Sequence, residues 1–353
     1  MANLCNVGIL KHRSWVISLL ITTTIVTNLP CIAKKGKRLP APDSGQVTAI
    51  LWSQPENIGR RNLFFGPGGQ RNQPHTVFTF IKEDLDGYSP KFVVRDQNGT
   101  KWKVKLGPEA RPETAATRLV WAVGYHADED YFVPRLRVRG LPPRLHRGQE
   151  WVEPGGEVHN ARLERYLEGE KKLGHWDWKS NPFSGTRELN GLRIMMALVN
   201  NWDLKNDNNS IYSDSQIGSP KDDRYLVYLV SDLGASFGAG GRSWSMTKSK
   251  DNLKAYRRSK FIRETSPVYV DFNDPKKPPF LFFLNLPEFI LQMQMHWVCR
   301  HIPQADARWM GQLLAQLAHG QIIDAFRAAG YTPEEATSYT RVIERRIAEL
   351  NHL

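Results

Sequence analysis

The sequence predicts an α+β protein of two lobes, a small β-rich N-lobe followed by a larger, mainly helical C-lobe. Three observations predict it. Between residues 77 and 106 the runs VFTFI, KFVVRD and TKWKVKL are rich in β-branched and aromatic residues and are separated by EDLDGYSP and QNG, which is the signature of strands joined by turns. One helical stretch and one further strand, YFVPRLRV, follow. From residue 186 onward apolar residues recur at helical spacing, and from about residue 285 the chain reads as mostly helical.

The first 33 residues read as an export signal. A basic patch (Lys11, His12, Arg13) precedes the apolar run WVISLLITTTIV; Pro30 and the small residue Ala33 then stand before KKGKR. Basic head, apolar middle and small-residue exit are the parts of a secretory signal. The run is diluted by threonine and short of the roughly 20 apolar residues of a membrane span. Cleavage after Ala33 is expected, hence a secreted or periplasmic protein, with a membrane contact only through this segment if it stays uncleaved.

Cys5 and Cys31 belong to that segment, which leaves Cys299, in the apolar stretch MHWVCRH, as a buried structural thiol. A single thiol excludes an internal disulfide, so a hydrophobic core carries the fold. The net charge is +12, or +10 once Lys11 and Arg13 are removed with the signal. A basic surface favours anionic partners. The basic residues are spread along the chain without a nucleic-acid module, so no nucleic acid is expected.

Residues 34–75, with LPAPDSG and FGPGGQRNQP, read as an irregular extension. The GPGG at 66–69 has no helix pattern after it and is expected to be a turn rather than a phosphate loop. Residues 76–140 form the N-lobe. In its third strand Trp102, Val104 and Leu106 face one side, and Lys101, Lys103 and Lys105 the other. Pro112 suits the first turn of a helix that runs to about Ala122 and stops at Gly124.

Residues 141–185 read as a long connection in which Trp176 and Trp178 anchor loops or pack in the core, with a carbohydrate platform as the weaker reading. Residues 186–353 form the C-lobe. Leu189, Leu192, Met195, Met196 and Val199 give its first helix an apolar face. WDLKNDNN follows, then a hairpin made by NSIY and RYLVYLV with SDSQIGSPKDD as its tip, then SDLG. LLAQLAHGQIIDAFRAAG and TPEEATSYTRVIERRIAEL are amphipathic, the second opening with a threonine cap and a proline. His126, His159, His175 and His301 show no metal-ligand spacing, and neither HExxH nor GxSxG occurs.

Three elements carry chemistry in a telling order: Lys105 on a strand with the acid Glu113 at the start of the next helix; Asp203, Lys205 and Asn208 in WDLKNDNN; and Asp232 in SDLG after an apolar strand. Phosphoryl transfer from ATP needs these groups. A lysine neutralises phosphates and a carboxylate holds that lysine. One aspartate acts on the attacking hydroxyl, and an asparagine with a second aspartate binds the bridging metal. Oxygen ligands suit a hard cation such as Mg²⁺.

D-L-K-x-x-N followed after a hairpin by D-L-G resembles the catalytic loop and metal motif of protein kinases. KVKLG, PETAATRLVWAVGY and YFVP upstream are similar to the lysine strand, acidic helix and hinge of atypical kinases: the phosphatidylinositol kinases, HipA toxins, CotH spore-coat kinases and secreted Golgi kinases. The resemblance spans about residues 76–240. It implies a two-lobed kinase-like fold with Mg²⁺ and ATP in the cleft, where phosphate passes to a hydroxyl on a protein, sugar or lipid. Asp203 and Lys205 would be catalytic, Asn208 and Asp232 metal ligands. Lys105, with Lys103 as its rival, and Glu113 would serve the nucleotide, with Gly87 in the loop LDGYSP where a glycine-rich loop belongs. The sequence departs from the kinase pattern in lacking GxGxxG and APE, and in carrying Asn201-Trp202 where His-Arg is usual. A pseudokinase acting as a binding module, or an AMP-transferase on the same fold, are the alternative readings.

Overall fold

The computed structural model describes residues 48–87, 89–167, 169, 171–213, 225–239, 249–273 and 286–353. The expected signal segment and most of the hairpin tip, 214–224, lie outside the described residues. No described helix is long and apolar enough to cross a membrane.

A short strand, β1 (Thr48–Ile50), opens the described chain, and single 3-10 turns carry it to β2 (Val77–Asp84), β3 (Lys91–Asp96) and β4 (Lys101–Leu106). Helix α1 (Ala110–Ala122) follows, then β5 (Asp130–Arg139), the short β6 (Val152–Glu153) and β7 (Glu157–Arg165). The strand order is β4-β3-β2-β5-β7-β6, and β4 also pairs with β7. Five strands therefore close into a barrel, which leaves few unpaired edges. The period of two sends Phe92, Val94, Trp102, Val104, Leu106 and Leu163 into one buried apolar cluster. The opposite face turns Lys105 and Arg162 outward, and these two are register partners across β4 and β7. Helix α1 packs against β5 and β7 on that outer side.

The segment 141–185, expected as a connection, supplies β6, β7 and a further strand, β8 (Lys171–Gly174). This corrects the expectation, and the physical reason is plain. EVHNARLER alternates, but its outward residues Arg162 and Glu164 are charged and look solvated in sequence, whereas Arg162 is buried under α1. Asn160 interrupts the run with a left-handed φ of 51°. Trp176 and Trp178 are buried with ring centroids 4.8 Å apart. Trp176 Nε1 donates to the Leu229 carbonyl, so the pair packs the interior rather than forming an exposed platform.

Helix α2 (Arg187–Leu198) leads into β9 (Asn209–Ser213) and β10 (Tyr225–Val230), which pair as the expected antiparallel hairpin. Their sheet has the order β1-β10-β9-β8, with β1 parallel to β10. Residues 34–75 thus contribute a strand and are not wholly irregular. Beyond lie α3 (Leu253–Arg258), β11 (Ile262–Thr265), β12 (Tyr269–Phe272), α4 (Leu286–Gln294), β13 (Ile302–Pro303), α5 (Gln304–Leu314), α6 (His319–Ala328) and α7 (Pro333–Asn351). The stretch LLAQLAHGQIIDAFRAAG is two helices, because α5 ends at Leu314 and α6 starts at His319. Helix α7 opens on a capping box between Thr332 and Glu335, with Pro333 in its first turn.

Helix α2 is almost entirely buried between these helices, and Leu192, Met195, Met196, Cys299, Met310 and Ile343 share one core. The apolar face of α1 joins that same core and packs on α6. The barrel with its outer helix and the helical half carrying the β9–β10 hairpin are the two lobes.

Candidate active site

The outer face of β4 meets the start of α1 at Lys105. Its ammonium lies 2.8 Å from Glu113 Oε2, 2.9 Å from Glu109 Oε2 and 3.0 Å from Asp232 Oδ1. Lys105 and Glu113 are buried, while Asp232 keeps 38% of its side chain exposed. Burial works against the lysine's charge, yet the carboxylates of Asp232, Glu113 and Glu109 raise its pKa well above the usual lysine value. Burial and then the neighbouring charge of Asp232 push the Glu113 carboxyl up to about 7, with Arg162 and Lys105 pulling the other way. Burial also opposes ionisation of Asp232, but Lys105 outweighs it and holds this carboxyl below its ordinary range.

Behind Glu113 lies a layer of buried charge between barrel and helix. Arg162 reaches Asp130 at 2.7 Å, Glu164 at 2.8 Å, and Glu113 Oε1 and Asp128 at 3.5 Å each. Arg118 on α1 contacts Asp130 from the other side. Such pairs do little for net stability, but removing one partner strands the other charge in the interior. Lys103, on the same strand face as Lys105, pairs with Glu164 in this layer. No contact is described between Lys103 and either Glu113 or Asp232. Period-two alternation places both lysines outward, and proximity to α1 separates them.

The catalytic-loop candidates follow α2. That helix ends in a Schellman motif: the Asn201 amide donates to the Met196 carbonyl at 2.9 Å and the Asn200 amide to Ala197 at 3.1 Å, with Asn200 at φ 54°. Asparagine is among the few non-glycine residues that accept this left-handed position. Asn201 Oδ1 then accepts from the Asp203 amide at 3.1 Å. Lys205 Nζ lies 3.4 Å from Asp203 Oδ2. Asn208 Nδ2 donates to the Asp203 carbonyl at 2.7 Å. The Asn208 carbonyl in turn accepts from the amides of Ser231 and Asp232, at 2.8 and 3.3 Å. The loop with Asp203, Lys205 and Asn208 is therefore fastened by main-chain bonds to the segment with Asp232. Asp232 Oδ1, already on Lys105, also accepts from the Gly234 amide at 3.1 Å.

Gly87 sits in the β2–β3 loop at φ 65°, and Arg147 donates to its carbonyl. Two residues on, Ser89 Oγ donates to Glu109 Oε2 at 2.6 Å, which ties this loop to the Lys105 cluster. Sequence reasoning missed Glu109, Ser89, Arg162 and Lys250, whose ammonium contacts Glu109 Oε1. For Glu109 there was a usable signal: it lies four residues after Lys105 and four before Glu113. For the others the sequence carried none, because the contacts that bring them to this cluster, such as Ser89 and Lys250 with Glu109 and Arg162 with Glu113, are distant in the chain.

No protein-family model matches the chain, and no curated protein matches it. Among solved structures it is similar to the Helicobacter pylori proinflammatory kinase CtkA, at 11% identity over 79% of this chain and 98% of that one, with a TM-score of 0.43. It is also similar to the Golgi casein kinase, at 10% identity over 80% of this chain and 71% of that one, with a TM-score of 0.37. The same kinase with Mn and ADP bound gives 12% identity over 80% and 72%, with a TM-score of 0.36. The order of the lobes, the strand lysine paired to a helix carboxylate and the aspartate after the β9–β10 hairpin make the fold protein-kinase-like.

Proposed function

We propose that the protein is an exported phosphotransferase that moves the γ-phosphoryl group of Mg-ATP to a hydroxyl acceptor on a protein, sugar or lipid. The observation that carries this reading is the position of Lys105, shared by Glu113 of α1 at 2.8 Å and Asp232 at 3.0 Å. A cation fixed by a helix carboxylate and placed beside a partly exposed aspartate suits the neutralisation of phosphates next to a metal.

The donor set fits Mg²⁺. Asp232 offers a partly exposed carboxylate, and Asn208 offers an amide on the loop bonded to it; both are hard oxygen donors. When bound, the ion would neutralise phosphate charge. Asp203, partly exposed, would orient the acceptor hydroxyl and take its proton, with Lys205 beside its carboxylate. Lys105 would hold phosphate oxygens. Placement outside the cytoplasm rests on the basic, apolar and small-residue sequence of the first 33 positions. The ADP held by the Golgi casein kinase agrees with nucleotide use on such a fold.

The test uses purified protein, Mg²⁺, and ATP labelled separately on the γ-phosphate and on the adenine, with Asp203→Ala and Asp232→Ala alongside. Label passing from the γ-position only, and lost in both variants, supports phosphoryl transfer. Label passing from adenine makes the protein an AMP-transferase. Folded protein that neither transfers label nor gains thermal stability from Mg-ATP is a binding module.

A further inference from the structure

We propose that Glu109 stands in for a phosphate group: its carboxylate fills an anion cradle formed by Ser89, Lys105 and Lys250, and an arriving phosphate takes that cradle by displacing it. This deepens the phosphotransferase reading and rests on a cleft that accepts a polyphosphate.

The cradle is built from three separate parts of the chain. Ser89 in the β2–β3 loop donates to Glu109 Oε2 at 2.6 Å, Lys105 on β4 lies 2.9 Å from the same oxygen, and Lys250, beyond the Asp232 segment, contacts Oε1. A hydroxyl and two ammonium groups converge on the Glu109 carboxylate, one of them, Lys105, being shared with Glu113 and Asp232. They match a group with several acceptor oxygens and more than one charge. Glu109 is not there to start the helix, for it occupies the N-cap of α1 and its side chain makes no cap hydrogen bond. Nor does Lys105 need it, since Glu113 and Asp232 already lie within 3.0 Å.

Of the carboxylates on Lys105, Glu109 is the one suited to leave. Glu113 is 2% exposed and held from behind by Arg162, and Asp232 is fixed by the Gly234 amide. Glu109 is 18% exposed and Asp232 38%, so anchoring rather than exposure separates the two. Gly234 makes room for it, because a Cβ there would stand 2.8 Å from the Glu109 Cβ. Burial works against the Glu109 charge, but the ammonium groups of Lys105 and Lys250 hold its carboxyl far below the ordinary glutamate range, so a full negative charge occupies the cradle. An incoming phosphate inherits both lysines and the serine. Ser89 and Lys250 thereby become phosphate-binding residues, with Glu109 as their internal competitor for phosphate.

The test is calorimetric titration of the full chain with sodium tripolyphosphate without metal, and separately with Mg-ATP, on wild type, Glu109→Gln, Glu109→Ala, Lys250→Met and Ser89→Ala. Melting curves without ligand select the folded variants, and two Glu109 substitutions guard against the failure of one. Removing the internal competitor raises the competent fraction. Both Glu109 variants are therefore expected to bind tripolyphosphate about threefold to tenfold more tightly, while Lys250→Met and Ser89→Ala bind more weakly. Glu109 variants that bind tripolyphosphate no better than wild type overturn the proposal. If they bind Mg-ATP more weakly as well, Glu109 is a metal ligand. Tight tripolyphosphate binding by Glu109→Gln without any Mg-ATP binding leaves the cradle standing and removes the nucleotide reading. Mg-ATP binding by wild type, with tripolyphosphate ignored by every variant, does the reverse.

Discussion

The Lys105 ammonium and the Asp232 carboxylate are 127 residues apart in the chain and 3.0 Å apart in space. One hydrogen-bonded ion pair thus joins the barrel lobe to the segment that follows the β9–β10 hairpin. Glu113 completes it from α1. The pair sets the lysine proposed to hold phosphate directly beside the aspartate proposed to hold metal.

Lys105→Met is expected to abolish stabilisation by Mg-ATP and to lower intrinsic stability as well. Above pH 7, where Glu113 is ionised, it would stay buried without its nearest cation, and breaking a buried pair from one side costs about 3–5 kcal/mol. Adding Glu113→Gln to that variant removes the stranded charge, so urea unfolding should show part of the loss recovered while nucleotide binding stays absent. A Lys105→Met protein that still gains melting temperature from Mg-ATP would show that another group holds the phosphates.

Asp203→Asn should separate chemistry from folding. Asparagine keeps the shape of the aspartate, whose side chain is 20% exposed beside Lys205, so the fall in melting temperature should be small beside the fall in rate. Loss of a positioned proton acceptor costs about 10²–10⁴-fold in rate. Transfer of γ-label should fall by that factor at unchanged Mg-ATP affinity. Equal loss of affinity and rate would assign Asp203 to binding instead.

Stability should report on Glu113 through pH. Its folded pKa, about 7, lies above the ordinary glutamate value of 4.5 because burial penalises the charged form. The folded state therefore holds the proton that the unfolded state gives up. The contribution of Glu113 is most favourable below the unfolded pKa and is lost as pH rises toward 7, by about 3 kcal/mol in all. Glu109 and Asp232 have depressed values, and their contribution is lost only in more acidic solution. Unfolding free energies of wild type and Glu113→Gln across pH 4.5–7 test this. The wild-type curve should fall relative to the variant, and parallel curves would contradict a raised value.

The hairpin motifs were legible because their geometry is local. Asn209 pairs with Val230, so any reader of the two strands brings Asn208 beside Asp232. The choice between Lys103 and Lys105 was not legible: both lie on one strand face, and only the seat of α1 decides that Lys105 meets Glu113 while Lys103 meets Glu164. Strand β7 was lost for a related reason. Arg162 and Glu164 look like a solvated face, and their burial follows from a helix packed above them. Buried charge is a tertiary fact, and sequence period cannot distinguish it from exposed charge.

Arg346 offers the sharpest test of how the C-lobe sets the loop proposed to be catalytic. This residue of α7 is fully buried, and its guanidinium donates to the carbonyls of Ala197 and Leu198 at 3.1 and 2.6 Å, to Asn200 Oδ1 at 3.0 Å and to Ser259 Oγ at 2.7 Å. It adds a second donor to the Ala197 carbonyl, which also accepts from the Asn200 amide, and joins the Tyr256 hydroxyl on the Leu198 carbonyl, at a helix end where a positive charge is favoured by the helix dipole. Burial lowers its pKa, which marks the desolvation the fold accepts to keep it there. Arg346→Met strips one donor from each of the two carbonyls, which keep the Asn200 amide and the Tyr256 hydroxyl, and takes the Arg346 donor from Asn200 Oδ1, at about 1–3 kcal/mol if that oxygen finds no water. Arg346→Lys should not restore the loss, since one ammonium cannot reproduce the planar fork. Asn200 starts the turn that carries Asp203, so transfer rate should fall even at temperatures where the variant remains folded. An Arg346→Met protein with unchanged rate and melting temperature would mean that the loop is held by its main-chain bonds to Ser231 and Asp232 alone.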